Sequence, residues 1–347
     1  MMKIVFRTLR FLILGLALYL LGALLLSLIQ IGNTSAMKIA TRNPVQPGGF
    51  GFALQRFQDI ENYGDVDILF LGSSHCYRTH DPRIYAEEGY SSFNLGTTGQ
   101  TPLNSYFLLR AYFEQLDPEL VVLDLNYHVI DRDGLESFYD LVVNMPYRRE
   151  LWPMAFAINS PHAINGVVSK WLLHLSGRES DLRQEAQDGE AYISRGYVEF
   201  SSYLENGATD YYEAVDEAYY DAITPADITP AAVQLYYLEK LIEFVQRKNK
   251  KIVLLTKPEA RENLQLIANY DEVAGAFADI ARKHGVLFLD FNRIDLPLDS
   301  NRHFHDKEYL NPFGVRIFIP EFIRRLRAEG MLPPAGKTVL NIDRAQP

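Results

Sequence analysis

The amino-acid sequence predicts a doubly wound parallel α/β sheet with an N-terminal transmembrane helix and a mainly helical insertion. Short apolar runs alternate with segments of helical periodicity on both sides of one long interruption. The run Lys251–Thr256 is almost continuously apolar, as in strands that helices cover on both faces. A charge-free apolar run of membrane-spanning length lies near the N-terminus. These three observations define the predicted fold class.

The composition excludes a disordered or fibrous protein and disfavours a nucleic-acid-binding one. The chain has 347 residues, of which 48% are hydrophobic, enough for a sizeable buried core. It carries 34 Lys and Arg against 44 Asp and Glu, and a net charge of −10 repels a phosphate backbone. The only cysteine, Cys76, excludes intrachain disulfides and Cys-cluster zinc sites. We expect no cofactor and no metal, although eight histidines leave a histidine-based metal site open.

The run from Phe11 to Ile31 is the predicted membrane span. It contains no charged residue, and its 21 positions are long enough to cross a bilayer as a helix. Lys3, Arg7 and Arg10 precede it, so the positive-inside rule places the N-terminus in the cytoplasm and the body on the periplasmic or extracellular side. A cleaved signal peptide is the alternative, because small residues follow at 34–36, but its apolar region is normally shorter. The bilayer is therefore the first expected partner, through residues 11–31.

The rest of the chain divides into a linker, a body and a tail. Residues 1–32 form the cytoplasmic flank and the signal anchor. Residues 33–64, with a Gln-Pro-Gly-Gly turn, are predicted as a linker. The α/β domain covers 65–330 with an insertion at 131–230, and 331–347 form a C-terminal tail.

Five apolar runs within the body predict strands, and four segments with apolar residues at helical spacing predict helices. Strands and helices in alternation are typical of a parallel sheet covered on both faces. The predicted strands are Val66–Leu71, Ser91–Leu95, Leu120–Leu125, Lys251–Thr256 and Val286–Asp290. The predicted helices are Thr101–Leu116, Ala231–Lys248, Tyr270–His284 and Pro312–Glu329.

The insertion is rich in tyrosine, which has two interpretations. The rings can fill the small core of a helical cap, which is the commoner use of aromatic residues. Alternatively, they can form a wall that faces a carbohydrate or another polymer, because tyrosine combines a flat apolar face with a polar tip. The tyrosines are Tyr139, Tyr147, Tyr192, Tyr197, Tyr203, Tyr211, Tyr212, Tyr219 and Tyr220.

Three loops carry residues suited to chemistry. The first predicted strand runs into Gly72-Ser73-Ser74-His75, where a hydroxyl can meet a ligand at the carboxyl end of the sheet. The second runs into a glycine-marked turn from Asn94 to Thr101, which is misplaced for a dinucleotide fingerprint. The third, from His303 to Gly314, offers His303, His305 and Asp306 ahead of the last helix. Each loop alone is typical of an ordinary turn, but together they supply a nucleophile, a base and an orienting carboxylate.

These three blocks and their order resemble the SGNH (GDSL-like) hydrolase superfamily, in particular its membrane-anchored envelope branch of DltD-like and polysaccharide-acetylation proteins. The resemblance covers residues 66–126 and 251–326 and does not cover the insertion. It implies a flavodoxin-like three-layer fold and serine-dependent cleavage or transfer of acyl groups.

The resemblance also implies residue roles. The family's Gly-Asp-Ser turn corresponds to Gly72-Ser73-Ser74, so the nucleophile falls on Ser74 and Ser73 occupies the aspartate position. The oxyanion-hole glycine falls on Gly99, beside the backbone N–H of Ser74. The third family block does not match at residues 124–128, so no oxyanion asparagine is assigned. In the closing block Asp306, Leu310, Asn311 and Gly314 match the family pattern.

The main departure from the family is Tyr309, which stands where the family has its catalytic histidine. A phenol with a pKa near 10 is a poor base at neutral pH, whereas an imidazole near 6.5 suits the task. Either His305 or His303 takes over, or the fold is kept without hydrolysis. We favour His305, with Asp306 as its orienting group, and count Ser73, Asn94, His303, Tyr309 and Asn311 as additional site candidates. Next to Ser74, His75 either contacts the site or begins a helix, and we favour the second interpretation; Cys76 is interpreted as a buried small residue.

Two functions follow. The first is an esterase or O-acyltransferase that acts on an acylated envelope glycan or polymer. The second is a catalytically silent module that binds such a polymer or docks onto a membrane partner. The resemblance implies a membrane-bound O-acyltransferase as that partner.

The topology is testable with a reporter that is active only in the cytoplasm, fused after Ala36. We expect no signal, because the basic flank keeps the N-terminus inside and residues 11–31 carry the fusion point across. A strong cytoplasmic signal would reverse the orientation.

Overall fold

The computed structural model describes residues 2–178 except 33, 47 and 49, together with residues 189–200 and 223–332. The predicted tail, apart from its first two residues, and about a third of the predicted insertion lie outside these described residues.

An apolar helix, α1 (Met2–Leu28), begins the chain, and among the described residues it is the one helix long and apolar enough to cross a membrane. The predicted span continued to Ile31, but the helix ends three residues earlier. A short antiparallel pairing of β1 (Gln30–Ile31) with β2 (Thr34–Ser35) reverses the chain there.

Residues predicted as a linker contain two helices, α2 (Ala36–Ala40) and α3 (Ala53–Asp59). Phe57 of α3 and Ile60 are fully buried in the largest hydrophobic cluster that the described residues form. Part of this segment therefore belongs to the body, because apolar residues here cover one face of the sheet.

The first half of the sheet and its helices follow. They are β3 (Ile68–Gly72), α4 (Ser74–Thr79), α5 (Pro82–Glu87), β4 (Ser92–Asn94), α6 (Pro102–Leu116) and β5 (Leu120–Asp124). The insertion contributes α7 (Leu135–Asn144), α8 (Leu151–Ile158), α9 (Pro161–Leu175), β6 (Glu190–Ser194) and β7 (Tyr197–Phe200). The second half consists of α10 (Ala232–Arg247), β8 (Lys251–Thr256), α11 (Arg261–Leu264), α12 (Tyr270–His284), β9 (Leu287–Asp290) and α13 (Pro312–Ala328).

The central sheet has five strands in the order β4-β3-β5-β8-β9, and every neighbouring pair is parallel. Hydrophobic clusters lie on both faces: Leu69 and Leu71 of β3 face one cluster, while Ile68 and Phe70 face the other. The predicted doubly wound α/β fold is confirmed. Because all strands run the same way, the loops after β3, β4, β5 and β8 meet at one edge of the sheet.

The described part of the insertion consists of three helices and the hairpin β6–β7. Tyr139 and Tyr197 are buried, and Tyr147 and Tyr192 are partly buried, so these four rings pack within the protein. The remaining tyrosines of the predicted wall lie outside the described residues: Tyr203, Tyr211, Tyr212, Tyr219 and Tyr220.

A buried carboxyl in α7 predicts a pH dependence of stability. Burial raises the pKa of Asp140 to about 7, against a hydrogen bond from Asn144 that favours the ionised form. Between about pH 4 and pH 7 the folded protein therefore holds one more proton than the unfolded chain, so the free energy of unfolding falls as pH rises through this window. We expect Asp140→Asn to remove this dependence of the free energy of unfolding on pH. At pH 8 the variant should be more stable than wild type by on the order of 2 kcal/mol.

The measurement is chemical unfolding of the detergent-solubilised protein at pH 5 and pH 8, followed by tryptophan fluorescence. Asp279→Asn, at an exposed position, is the matched control and should leave the slope unchanged. Equal pH slopes for wild type and Asp140→Asn would contradict the prediction.

Candidate active site

Ser74 stands at the carboxyl end of β3, where the chain turns sharply into α4. Gly72 has a φ of +155°, and a Cβ there would come within 2.6 Å of the Asp124 carbonyl oxygen on the neighbouring strand. A glycine is therefore required for the turn. Ser73 caps α4 by accepting a hydrogen bond from the His75 N–H. This local structure presents Ser74 as the first residue of the helix, with a side chain that is 8% exposed.

The loops after β4 and β5 hold this turn from both sides. Asn94 accepts a hydrogen bond from the Gly96 N–H and donates from Nδ2 to the Cys76 carbonyl. A Cβ on Gly96 would lie 3.1 Å from the carbonyl oxygens of Gly72 and Ser73. On the other side, Asn126 Nδ2 donates to Ser73 Oγ at 3.1 Å. Asn94, assigned as a site candidate, thus positions the turn that carries Ser74.

Gly99, the predicted oxyanion-hole residue, has a φ of +63° and lies against the Glu136 side chain of α7, which a Cβ would approach to 2.8 Å. Gly96 is the glycine of this loop that packs on the turn at Gly72 and Ser73. The role assigned to Gly99 stays a prediction.

The loop from His303 to Asn311, directly ahead of α13, is called the closing loop here. Two predicted site residues shape it. Asn311 Oδ1 accepts hydrogen bonds from the backbone N–H groups of Phe313 and Gly314, and its Nδ2 donates to the Arg302 carbonyl. Asp306 Oδ1 accepts from the N–H groups of Glu308 and Tyr309. Asp306 and Asn311 together fix the backbone that carries Tyr309.

The hydroxyls of Ser74 and Tyr309 lie 3.0 Å apart, within hydrogen-bond distance. Residues 235 positions apart are therefore in direct contact, as expected if the first strand and the closing loop share one cleft. Burial raises the pKa of Tyr309 further above 10, and the nearby Glu308 adds to this effect. At neutral pH Tyr309 is a protonated phenol, so it can donate or accept a hydrogen bond but cannot act as a strong base.

The two histidines proposed as the base lie on the same loop. His303 Nδ1 accepts a hydrogen bond from the Asp299 N–H, which ties the ring to its own loop. The His305 ring stacks on Phe200 of β7 at 3.8 Å, and Phe200 also lies 6.0 Å from the Tyr309 ring. Burial lowers the pKa of His305, so its imidazole is neutral at pH 7.

A cluster of buried charged groups lies directly behind Ser74. His75 Nε2 is 2.8 Å from a carboxylate oxygen of Glu308, and its Nδ1 is 3.8 Å from Glu259. Glu259 also faces His128 at 3.7 Å and Lys257 at 4.0 Å. Burial opposes ionisation of Glu259, but the charge of Lys257 and a hydrogen bond from His128 outweigh it and lower the pKa of Glu259 to about 2.

His75 does more than begin α4, which corrects the interpretation from sequence. Its ring contacts the Tyr309 ring at a centroid distance of 4.6 Å and bonds to Glu308. The position directly after a serine did point to a helix start, but α4 is packed so tightly under the closing loop that His75 is buried there. The prediction that Cys76 is buried is confirmed.

Arg78 and Phe200 of the β6–β7 hairpin pack around the Tyr309 ring. The Arg78 guanidinium lies 4.8 Å from the centre of the Tyr309 ring and 5.1 Å from that of Phe200, and it is ion-paired with Glu190. Because Arg78 follows Ser74 by four residues in a helix, both side chains lie on the same face of α4. The site therefore combines a serine hydroxyl, a phenol, a cation and an aromatic ring.

Among the described residues, one group could hold a metal ion. Ligand atoms of Cys76, His80 and Asp124 lie within 4.8 Å of one another, all buried. Two of them already have other partners, because Cys76 Sγ donates to Asn94 Oδ1 and His80 Nδ1 is bonded to the Tyr85 hydroxyl. No step of the chemistry below uses this group.

Sequence reasoning missed Arg78, Asn126, Glu259 and Phe200. The four-residue spacing of Arg78 from Ser74 in a helix indicates that the two side chains lie close together. The position of Asn126, just after a strand that ends beside β3, indicates that it also lies near Ser74. The sequence contains no such indication for Glu259 and Phe200, because they come near Ser74 only through tertiary packing of loops that are distant in sequence.

No protein-family model matches the chain, and no curated protein matches it. Similar solved structures include a GDSL-like lipase from Bacteroides thetaiotaomicron, with 11% identity, a TM-score of 0.37 and coverage of 81% of this chain and 99% of that one. A lipase/acylhydrolase from Enterococcus faecalis has 12% identity, a TM-score of 0.37 and coverage of 79% and 100%. An acetylxylan esterase from Geobacillus stearothermophilus has 15% identity, a TM-score of 0.35 and coverage of 76% and 94%. At these values no residue role and no substrate transfers to this chain.

The buried charge cluster is testable through Glu259→Gln. This change leaves Lys257 buried without its countercharge, so we expect the free energy of unfolding to fall by about 3–5 kcal/mol at pH 7. In wild type, ionised Glu259 stabilises the fold above pH 4.5, the pKa of this carboxyl in the unfolded chain, and this stabilisation is lost as pH falls toward 2. The free energy of unfolding of the variant should therefore depend less on pH in this acid range.

Glu239→Gln is the control, because it breaks an exposed pair with Lys283 and should cost less than about 1 kcal/mol. Chemical unfolding of both variants across pH 3–7 measures the difference. If the two substitutions cost the same, the cluster does not stabilise the site.

Proposed function

We propose that this protein is a membrane-anchored serine esterase or O-acyltransferase that acts outside the cytoplasm on an acylated envelope glycan or polymer. One observation carries the proposal: the Ser74 hydroxyl lies at the carboxyl end of the sheet, in hydrogen-bond contact with the closing loop. This is the edge at which doubly wound sheets bind ligands. The motif resemblance assigns the nucleophile to the same residue independently.

In the proposed reaction, Ser74 Oγ attacks the acyl carbonyl carbon while its proton passes to an imidazole. The oxyanion that forms is stabilised by the backbone N–H groups of Ser74 and Gly99. The carbon–oxygen bond to the leaving alcohol then breaks, the imidazolium returns the proton to that alcohol, and an acyl-Ser74 ester remains. Water attacks this ester in an esterase, and an acceptor hydroxyl attacks it in a transferase.

His305 is the base in this proposal. Both ring nitrogens of His75 face carboxylates, Glu308 at 2.8 Å and Glu259 at 3.8 Å, so neither is directed at Ser74. His303 is tied to Asp299 within its own loop. His305 is neutral at pH 7 and lies beside the cleft on Phe200, and catalytic hydrogen bonds often tighten only when substrate binds.

Tyr309 has a separate role in the proposal. Because its phenol stays protonated, it can hold the Ser74 hydroxyl in place or donate a hydrogen bond to the leaving oxygen. Arg78 over its ring keeps it in position through a cation–π contact.

The second candidate function is a catalytically silent module that binds an envelope polymer or docks onto a membrane-bound O-acyltransferase. The same contact favours it, because Tyr309 occupies the place of the family's histidine and already satisfies the Ser74 hydroxyl.

Turnover of p-nitrophenyl acetate by the purified full-length chain separates the two functions. For an enzyme we expect Ser74→Ala and His305→Ala each to lower kcat/KM by about 10²–10⁴-fold, and Tyr309→Phe to have an effect below tenfold. The pH profile of kcat/KM should rise through a step below pH 6.5, the lowered pKa of His305, and then stay flat. If the Tyr309 phenolate were the base, the rate would keep rising above pH 10.

Tyr309→His tests the silent-module function, because it places a histidine where the family has its catalytic one. If wild type shows no turnover above the Ser74→Ala background and Tyr309→His shows turnover above it, the silent-module function is correct and the enzymatic function is rejected. Equal, substantial turnover in wild type, Ser74→Ala and His305→Ala would reject the role of this site in both.

A further inference from the structure

The apolar helix α1 does not stand apart from the body, because its last three turns pack along α9. Tyr19 Oη donates to Asn165 Oδ1 at 2.6 Å, and the hydroxyls of Ser27 and Ser169 are 2.6 Å apart. Between these contacts Ala23 is buried in a small cluster with Val168. Residues 19–28 rise by about 14 Å, roughly half of a hydrocarbon layer of about 30 Å.

This packing places part of the insertion at the membrane surface. A helix that spans the bilayer needs about 20 residues, so the segment of α1 beside α9 must reach the leaflet on the side of the body. The α8–α9 pair also exposes large apolar side chains, with Phe156 60% and Leu175 63% exposed. Exposed apolar residues next to a spanning helix are typical of a surface that contacts lipid.

A cavity of about 470 Å³ opens at this junction, between the end of α1, α2, α7 and α9. Pockets of this size accommodate small organic ligands. The lining includes the apolar residues Leu28, Met37 and Val142 as well as the serines Ser27 and Ser35. A lining that combines apolar and polar residues suits an amphiphile, which has both kinds of group.

The charge of the wall specifies the polar group. Lys38, Lys170 and Arg178 line the cavity, and Lys38 Nζ donates to an uncharged partner, the side-chain oxygen of Gln46. Lys38 is partly buried, and burial lowers its pKa because the ammonium group loses solvation. A negative ligand beside Lys38 would replace that solvation and be stabilised by the charge. Cationic and hydroxyl donors around an anion are the usual means of binding phosphate.

We infer that this cavity binds the phosphate headgroup of an anionic lipid in the leaflet on the side of the body. The inference rests on the membrane anchoring in the proposed function but not on its chemistry, because none of the lining residues belongs to the Ser74 cleft. A bound lipid would fix the body against the bilayer at the point where α1 leaves it.

Native mass spectrometry of the full-length protein in detergent tests the inference, with phosphatidylglycerol, phosphatidylcholine of the same acyl chains, and inorganic phosphate as probes. We expect one phosphatidylglycerol to be retained with at least tenfold preference over phosphatidylcholine. The double variant Lys38→Gln/Arg178→Gln should lose this preference. Lys248→Gln, which removes a positive charge from the exposed surface of the body, should keep it.

Equal retention of both lipids, or an unchanged preference in the double variant, would overturn the inference. Inorganic phosphate bound as tightly as phosphatidylglycerol would also overturn it, because the site would then be one for free phosphate. Ester turnover distinguishes this failure from failure of the proposed function: the double variant should keep wild-type turnover, whereas Ser74→Ala should keep lipid binding and lose turnover.

Discussion

The site depends on the close approach of two parallel strands at Gly72. The backbone of β3 passes so near the Asp124 carbonyl of β5 that a Cβ would come within 2.6 Å of it, and the chain then turns at once into α4. Any other residue at this position would push α4 away from the sheet edge. The position of Ser74, its contact with Tyr309 and the burial of His75 all follow from this turn, because each requires α4 to begin directly under the closing loop.

The buried ionic cluster behind this turn has an energetic cost that the fold must offset. Lys257 and Glu259 are nearly inaccessible to solvent, and removing charges from water is expensive unless they compensate one another. Lys257 also donates to the Glu308 carbonyl of the closing loop at 2.8 Å. The cluster thus joins the loop after β8 to the loop that carries Tyr309, and it keeps the cleft in one arrangement.

The sequence predicted the sheet well because its strands are buried on both faces and therefore apolar throughout. Lys251–Thr256 and Tyr270–His284 have the predicted bounds, and Ser74 meets the closing loop as expected. The surroundings of Ser74 were not predictable to the same extent. Glu259 and Phe200 reach the cleft through tertiary contacts that leave no local pattern, and the burial of His75 depends on packing between loops distant in sequence. The helices of residues 33–64 were missed because turn residues dominate that segment.

The central claim is that Ser74 becomes acylated. Rapid acid quenching of the full-length protein with an acyl ester substrate, followed by peptide mass spectrometry, tests it most directly. The account predicts one acyl group on the peptide that contains Ser74 in wild type and none in Ser74→Ala. A wild-type protein that hydrolyses the ester without any adduct on that peptide, or with the same adduct in Ser74→Ala, would contradict the account.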